Sequence, residues 1–279
     1  MVPQRRLLIH RHPSARRLPA GYRALVPPQL PCTVPLVLVH GNQRRAGRLF
    51  RAFVPQALML GVPVIAPTFD RDRFPGYQRL AGKDGPLAAI EALEALLADA
   101  HDELGLDTSH VDLMGYSAGA QFVHRHLLVA GKEVRRAVVA GAGWYTYLDP
   151  TRPFPRGTAP APKRLGRPID PQGLLERPVH VLVGAKDVGR GPAVRASRGL
   201  DVRQGPDRLT RALRWVDHLE EQAQRHGVPS LVSFDLLPDS GHGLTSAVRV
   251  GGLVQRTLSF LHAPPAHLDD LPYPHGSLQ

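Results

Sequence analysis

The segment Gly115-Tyr116-Ser117-Ala118-Gly119 sets one serine between two glycines, each two residues away. A serine hydroxyl is a weak nucleophile until a base takes its proton and a carboxylate orients that base. In a tight turn from strand to helix, the two glycines let the flanking backbones approach without a Cβ clash, and the serine stands on a strained backbone above the sheet. The helix N-terminus below it favours developing negative charge. Ser117 is therefore the candidate nucleophile, the N–H of Ala118 is a candidate donor to an oxyanion, and Tyr116 falls beside the substrate.

A base and an acid must come from elsewhere in the chain. His242 lies in Asp239-Ser240-Gly241-His242-Gly243, a glycine-bounded stretch between a predicted strand and a predicted helix. Most of the other histidines fall inside predicted elements, such as His124 and His126 on a helix, His180 in a strand, and His218 and His226 on a helix. His242 is the candidate base. Asp187 follows Val181-Leu182-Val183-Gly184-Ala185-Lys186 at a strand's carboxyl end, giving the chain order Ser, Asp, His; Asp201 is the rival for the same role. His40-Gly41-Asn42-Gln43 follows the first buried strand, where the N–H of Asn42 would form an oxyanion hole with that of Ala118. Gln43 is the alternative donor and a candidate substrate contact.

The elements that must hold these residues are readable from periodicity. Leu7–Ile9 and Tyr22–Val26 fit edge strands among prolines, and Leu36–Val39 reads as a strand buried on both faces. Further strands are expected at Val62–Pro67, Val111–Met114, Val134–Ala140, Val179–Val183 and Leu231–Leu237. Helices are expected from about Gly47 to Leu60, from Asp84 with Pro86 at the first helical position to Gly105, from Ala118 to Ala130, over Pro206–His226 and over Leu244–Leu261. Alternating strands and helices imply an α/β protein with a mostly parallel central sheet and helices on both faces, its reactive groups at the strands' carboxyl ends. Residues 1–279 read as a single domain. The proline-rich stretch 144–178 interrupts it as a cap or lid insert, and the tail 264–279 is irregular. Trp144 and Tyr145, with Tyr147, either line a substrate pocket under that cap or pack the loop onto the domain.

Composition removes several classes. The 279 residues are 43% hydrophobic and 21% charged, enough for a sizeable core and unlike a disordered chain. The net charge of +11 admits an anionic partner. The arginines are scattered, however, with no zinc-finger spacing or RNA-binding aromatic signature, so a solvated basic surface is expected and nucleic acid is not. The one cysteine, Cys32, excludes an internal disulfide and a cysteine metal cluster and is read as structural. Leu7-Leu8-Ile9 is too short for a signal peptide and no run is long enough to span a membrane, so a cytoplasmic protein is expected. Nothing in the chain addresses the oligomeric state.

Across about residues 20–262 the sequence resembles the α/β-hydrolase superfamily. His40-Gly41-Asn42-Gln43, Gly115-Tyr116-Ser117-Ala118-Gly119, Gly184-x-x-Asp187 and Gly241-His242 are similar to the esterase and poly(3-hydroxybutyrate)-depolymerase-like branch. The resemblance implies a Ser-His-Asp triad, no cofactor, no metal and hydrolysis of carboxylic esters. Asn42 stands where many depolymerase relatives carry a cysteine, so a small-molecule ester is the expected substrate. Peptidase, thioesterase or acyltransferase chemistry with the same triad, or ligand binding without turnover, are the alternatives.

Overall fold

The computed structural model describes residues 8–12, 20–29, 33–80, 83, 85, 87–159, 165–189 and 197–263. Leu7, Cys32, Asp84, Pro86 and the tail 264–279 lie outside the described residues. Eight strands form one sheet: β1 (Leu8–His12), β2 (Gly21–Val26), β3 (Leu36–Val39), β4 (Val64–Thr68), β5 (Val111–Tyr116), β6 (Val134–Ala140), β7 (Val179–Gly184) and β8 (Val232–Leu237). Their order is β1-β2-β4-β3-β5-β6-β7-β8. β1 and β2 form the antiparallel edge, with β2 antiparallel to β4, and all pairs from β4 to β8 are parallel.

Strand periodicity sorts the apolar side chains onto two faces. Val37, Val39, Leu113, Ala137, Val139, Val181 and Val183 point to one side, where helices α2 (Ala88–Leu104), α3 (Ala118–Ala130) and α6 (Arg208–Arg225) complete the core. Leu36, Leu38, Met114, Val138, Ala140 and Leu182 point to the other, under α1 (Ala46–Leu60), α7 (Leu244–Arg249) and α8 (Leu253–His262). The central strand β3 is buried along its whole length and carries no polar alternation because both faces are covered, whereas the edge strand β8 alternates through Val232-Ser233-Phe234-Asp235 and is only half-buried. Among the described residues no helix is long and apolar enough to cross a membrane.

Three differences from the sequence reading have local causes. The last helix is broken into α7 and α8. A Cβ on Gly251 would meet Leu237 Cβ at 2.7 Å, Ala247 O at 2.9 Å and Ser240 Oγ at 2.9 Å, and Gly252 turns with φ of 68°. The break lets the chain after β8 lie close against the following helix. The proline-rich stretch contains a short helix, α4 (Pro171–Leu175), capped by Asp170, whose Oδ1 accepts from the Gly173 N–H at 2.8 Å. Ahead of α6 lies a second short helix, α5 (Arg198–Gln204), capped by Ser197.

Buried histidines tie this core to pH. Burial pushes His40, His126 and His180 down to about 4, and burial also holds His124 well below the ordinary histidine value. A base whose folded pKa is depressed favours the unfolded state once that state begins to take up protons. Stability should therefore fall as pH drops from about 6.5 to about 4, each histidine contributing up to about 1.4 kcal/mol per pH unit. Urea unfolding across this window checks it, and a flat profile would contradict the neutral assignment.

Candidate active site

The turn after β5 is built by close backbone approach. A Cβ on Gly115 would lie 2.2 Å from the Gly119 carbonyl oxygen, and a Cβ on Gly119 would lie 2.0 Å from that of Val39. No other residue fits either position unless the backbone moves. Between them Ser117 has φ of 58° and ψ of −111°, a left-handed conformation that costs a non-glycine residue about 1–3 kcal/mol. The Ser117 N–H donates to Ala140 O at 2.8 Å, so the end of β6 holds the strained residue.

The structure brings Ser117, His242 and Asp187 into one line. Ser117 Oγ lies 2.9 Å from His242 Nε2, and His242 Nδ1 lies 2.9 Å from Asp187 Oδ2. The carboxylate can only accept, so Nδ1 carries the proton and Nε2 is left to accept from the serine. Two contacts place the imidazole: Tyr116 OH donates to the His242 carbonyl at 2.9 Å, and the two rings stack with centroids 5.8 Å apart. The loop bearing His242 is pinned to β7, with Lys186 N–H donating to Ser240 O at 2.9 Å. Gly184 is required there, since its Cβ would fall 2.4 Å from Ser240 O.

Asp187 has a second partner that the sequence did not signal. Its Oδ1 accepts from Arg208 Nη1 at 2.9 Å, and both side chains are buried. Burial raises the carboxyl's pKa, but the His242 hydrogen bond and charge and the Arg208 guanidinium outweigh it, so the net shift is down. Asp201 is elsewhere, paired with Arg211 Nη2 at 2.8 Å.

The β3 end supplies the other wall. A Cβ on Gly41 would lie 3.3 Å from Tyr116 O and 3.4 Å from Ser117 Cβ, so Asn42 and Gln43 begin beside the serine. Ala118 is the first residue of α3, where a backbone N–H has no intrahelical acceptor. His40 is not a second base. Phe69 N–H donates to its Nε2 at 3.1 Å, which leaves Nδ1–H to donate to Gly41 O at 2.9 Å. It is a neutral brace under the Gly41 turn, helped by Tyr77 OH donating to its carbonyl at 2.5 Å. A cleft of about 390 Å³ opens over Ser117 and His242, lined by residues 40–43, Arg45, Arg48, Leu49, Tyr116 and 243–245.

Trp144 and Tyr145 do not line this cleft. Tyr145 is fully buried and stacks on Trp215 with centroids 4.6 Å apart, and Trp144 lies under the Arg125 guanidinium at 4.0 Å. Of the two readings of these aromatics, the geometry is that of packing. Tyr147 faces a separate cavity with Arg152, Arg156 and Arg203.

No protein-family profile matches the sequence, and no curated protein matches it. Solved structures do match. Poly(aspartic acid) hydrolase-1 from Sphingomonas sp. KT-1 aligns at TM-score 0.73 and 23% identity, over 89% of this chain and 99% of that one. LpqC, a poly(3-hydroxybutyrate) depolymerase from Bordetella parapertussis, aligns at 0.73 and 23%, over 92% and 90%. A carboxylesterase from Mesorhizobium loti aligns at 0.52 and 19%, over 88% and 98%. At such identities the likeness defines the fold: this chain has the α/β-hydrolase fold, with the strand order and elbow position described above.

The Arg208–Asp187 pair gives a direct test of how the site is held. Arg208→Met should leave a buried carboxylate short of a partner and cost about 3–5 kcal/mol in urea unfolding. Arg208→Lys should cost less, because it keeps the charge. A loss below about 1 kcal/mol in Arg208→Met would show that the pair does not hold Asp187.

Proposed function

We propose that this protein is a serine-dependent hydrolase of carboxylic esters, with Ser117 as nucleophile, His242 as general base and acid, and Asp187 as the orienting carboxylate. The observation that carries the reading is the pair of 2.9 Å contacts running from Ser117 Oγ through the two nitrogens of His242 to Asp187. It is made at a residue whose backbone is strained and braced. The neighbours in fold, which include a depolymerase of a polyester and a carboxylesterase, support an ester as substrate.

In the first half-reaction His242 Nε2 takes the Ser117 proton as Oγ attacks the ester carbonyl. The N–H groups of Asn42 and Ala118 hold the oxyanion, with Gln43 beside them. The tetrahedral intermediate collapses, the C–O bond to the alcohol breaks, and His242 protonates the leaving oxygen. In the second, His242 deprotonates a water that attacks the acyl-serine, and the carboxylic acid leaves with Ser117 reprotonated. Asp187 fixes the imidazole tautomer and stabilises the imidazolium. Arg208 holds the far carboxylate oxygen, so Asp187 cannot rotate away from the histidine. Tyr116 acts on the histidine through its carbonyl and ring, and it also borders the substrate cleft. Among the described residues of the stretch 144–178, Trp144 and Tyr145 pack into the core and none lines this cleft.

A fluorophosphonate probe should label the wild-type protein stoichiometrically and leave Ser117→Ala unlabelled; equal labelling of the two would sink the nucleophile. The acid has its own test. Asp187→Asn should lower kcat by about 10⁴, while Asp201→Asn, which disturbs the Arg211 pair away from His242, should stay within about tenfold of wild type. The reverse order in steady-state kinetics would transfer the role to Asp201.

A further inference from the structure

Among the described residues the cleft over Ser117 is charged in one sense only: its lining contains two arginines, Arg45 and Arg48, and no aspartate or glutamate. Asp187 does not offset them, because it sits behind His242 with one oxygen on Arg208. Arg45 immediately precedes α1 and Arg48 lies in its first turn, three residues on, so both fall at the same end of the helix. That end is the positive end of the helix dipole, where cations are disfavoured and acids are the usual choice. Here the first turn holds no acid.

The neighbouring Arg44 shows what a structural arginine does at this place. Its Nη1 donates to the Phe69 carbonyl at 2.6 Å and to that of Asp70 at 3.1 Å, and its guanidinium covers Tyr77 at 4.5 Å. Arg45 makes no such contact among the described residues, and Arg48 is held by a single side-chain hydroxyl. Both are exposed, and neither pairs with a carboxylate among the described residues. Arg48 Nη2 donates to the hydroxyl of Thr245, which braces its guanidinium across the mouth of the cleft, three residues from His242. Two guanidinium groups kept against the dipole, lining the same cleft as the candidate nucleophile and without a carboxylate partner among the described residues, are placed to meet an anion that arrives with the substrate.

We propose that the cleft selects esters that carry an anionic group such as a carboxylate, with Arg45 and Arg48 as the specificity-determining cations. The inference rests on the ester-hydrolase reading and names its substrate class. Water cleaves the acyl C–O bond as above, and the anionic group is unchanged by the reaction. It can sit on the acyl or on the alcohol side of the ester, and two substrate pairs separate these sources. Monophenyl glutarate against monophenyl glutaramate places the charge on the acyl side. Para-acetoxybenzoate against para-acetoxybenzamide places it on the alcohol side.

The wild-type protein at low ionic strength should favour the anion over its neutral isostere in kcat/KM by about tenfold or more in at least one pair. That ratio should collapse toward one in Arg45→Gln/Arg48→Gln and in about 0.5 M salt, and should persist in Arg45→Lys/Arg48→Lys. If the double glutamine variant fails to fold, Arg45→Gln alone carries the test, with a partial fall in the ratio expected. A wild-type ratio near one in both pairs, or a preference that survives both the substitutions and salt, would overturn the assignment. Cleavage of both members at equal rates overturns only the charge selection. Absence of cleavage of any ester, with Ser117 unlabelled, overturns the hydrolase reading as well.

Discussion

The first turn of α3 lies against the ends of β3 and β5 with no room for a side chain between them. Gly119 touches the carbonyls of Val39 and His40, and Gly115 touches the carbonyl of Gly119. This three-way backbone contact forces the chain to leave β5 through a residue with positive φ, and that residue is Ser117. It also sets Gly41 against Ser117, so the wall that holds Asn42 and Gln43 is placed by the same contact. The strain at the serine is opposed by its own hydrogen bond to Ala140 and by the packing of Phe122 and Val123 in the core beneath. Conformational energy lost at one residue is offset by a helix and two strands, which is why the hydroxyl stays presented.

The opposite wall depends on a different interaction, the buried pair of Asp187 and Arg208. A carboxylate this deep would be pushed toward its neutral form by burial alone, and a neutral Asp187 could not stabilise a charged His242. Arg208 and His242 together keep it ionised. The guanidinium begins α6, next to the Asp207 cap, so the orientation of the acid is tied to where that helix starts. The Asp187 carboxylate and the His242 imidazole are therefore positioned by two elements, α6 and the loop after β8, which meet at Asp187.

How much of this was legible in the sequence follows from the range of each interaction. The elbow is a local backbone property, so glycine spacing between a strand and a helix was enough to find it. His242 was legible because it lies between Gly241 and Gly243 in a short connection from a strand to a helix, and the close approach that fixes this loop is made at Gly184 on β7. The choice between Asp187 and Asp201 was not legible: both follow the same strand, and only the distance to His242 separates them. Arg208 lies 21 residues from Asp187 and looks like any solvated arginine at a helix start. Tyr145 shows the converse, since an aromatic after a strand end reads equally as a pocket wall or as loop packing until Trp215, from a distant helix, is seen stacked on it. The break between α7 and α8 was marked by Gly251-Gly252, but the apolar period runs through it and hides the interruption.

The central claim is that Ser117 carries the acyl group during turnover. Intact-protein mass spectrometry of acid-quenched turnover with an activated acetyl ester, followed by peptide mapping, measures this directly. The account predicts one acetyl group per chain during the burst, located on the peptide that contains Ser117 and lost on further incubation. Turnover without any acylated chain, or an acyl group mapped to another residue, would contradict it.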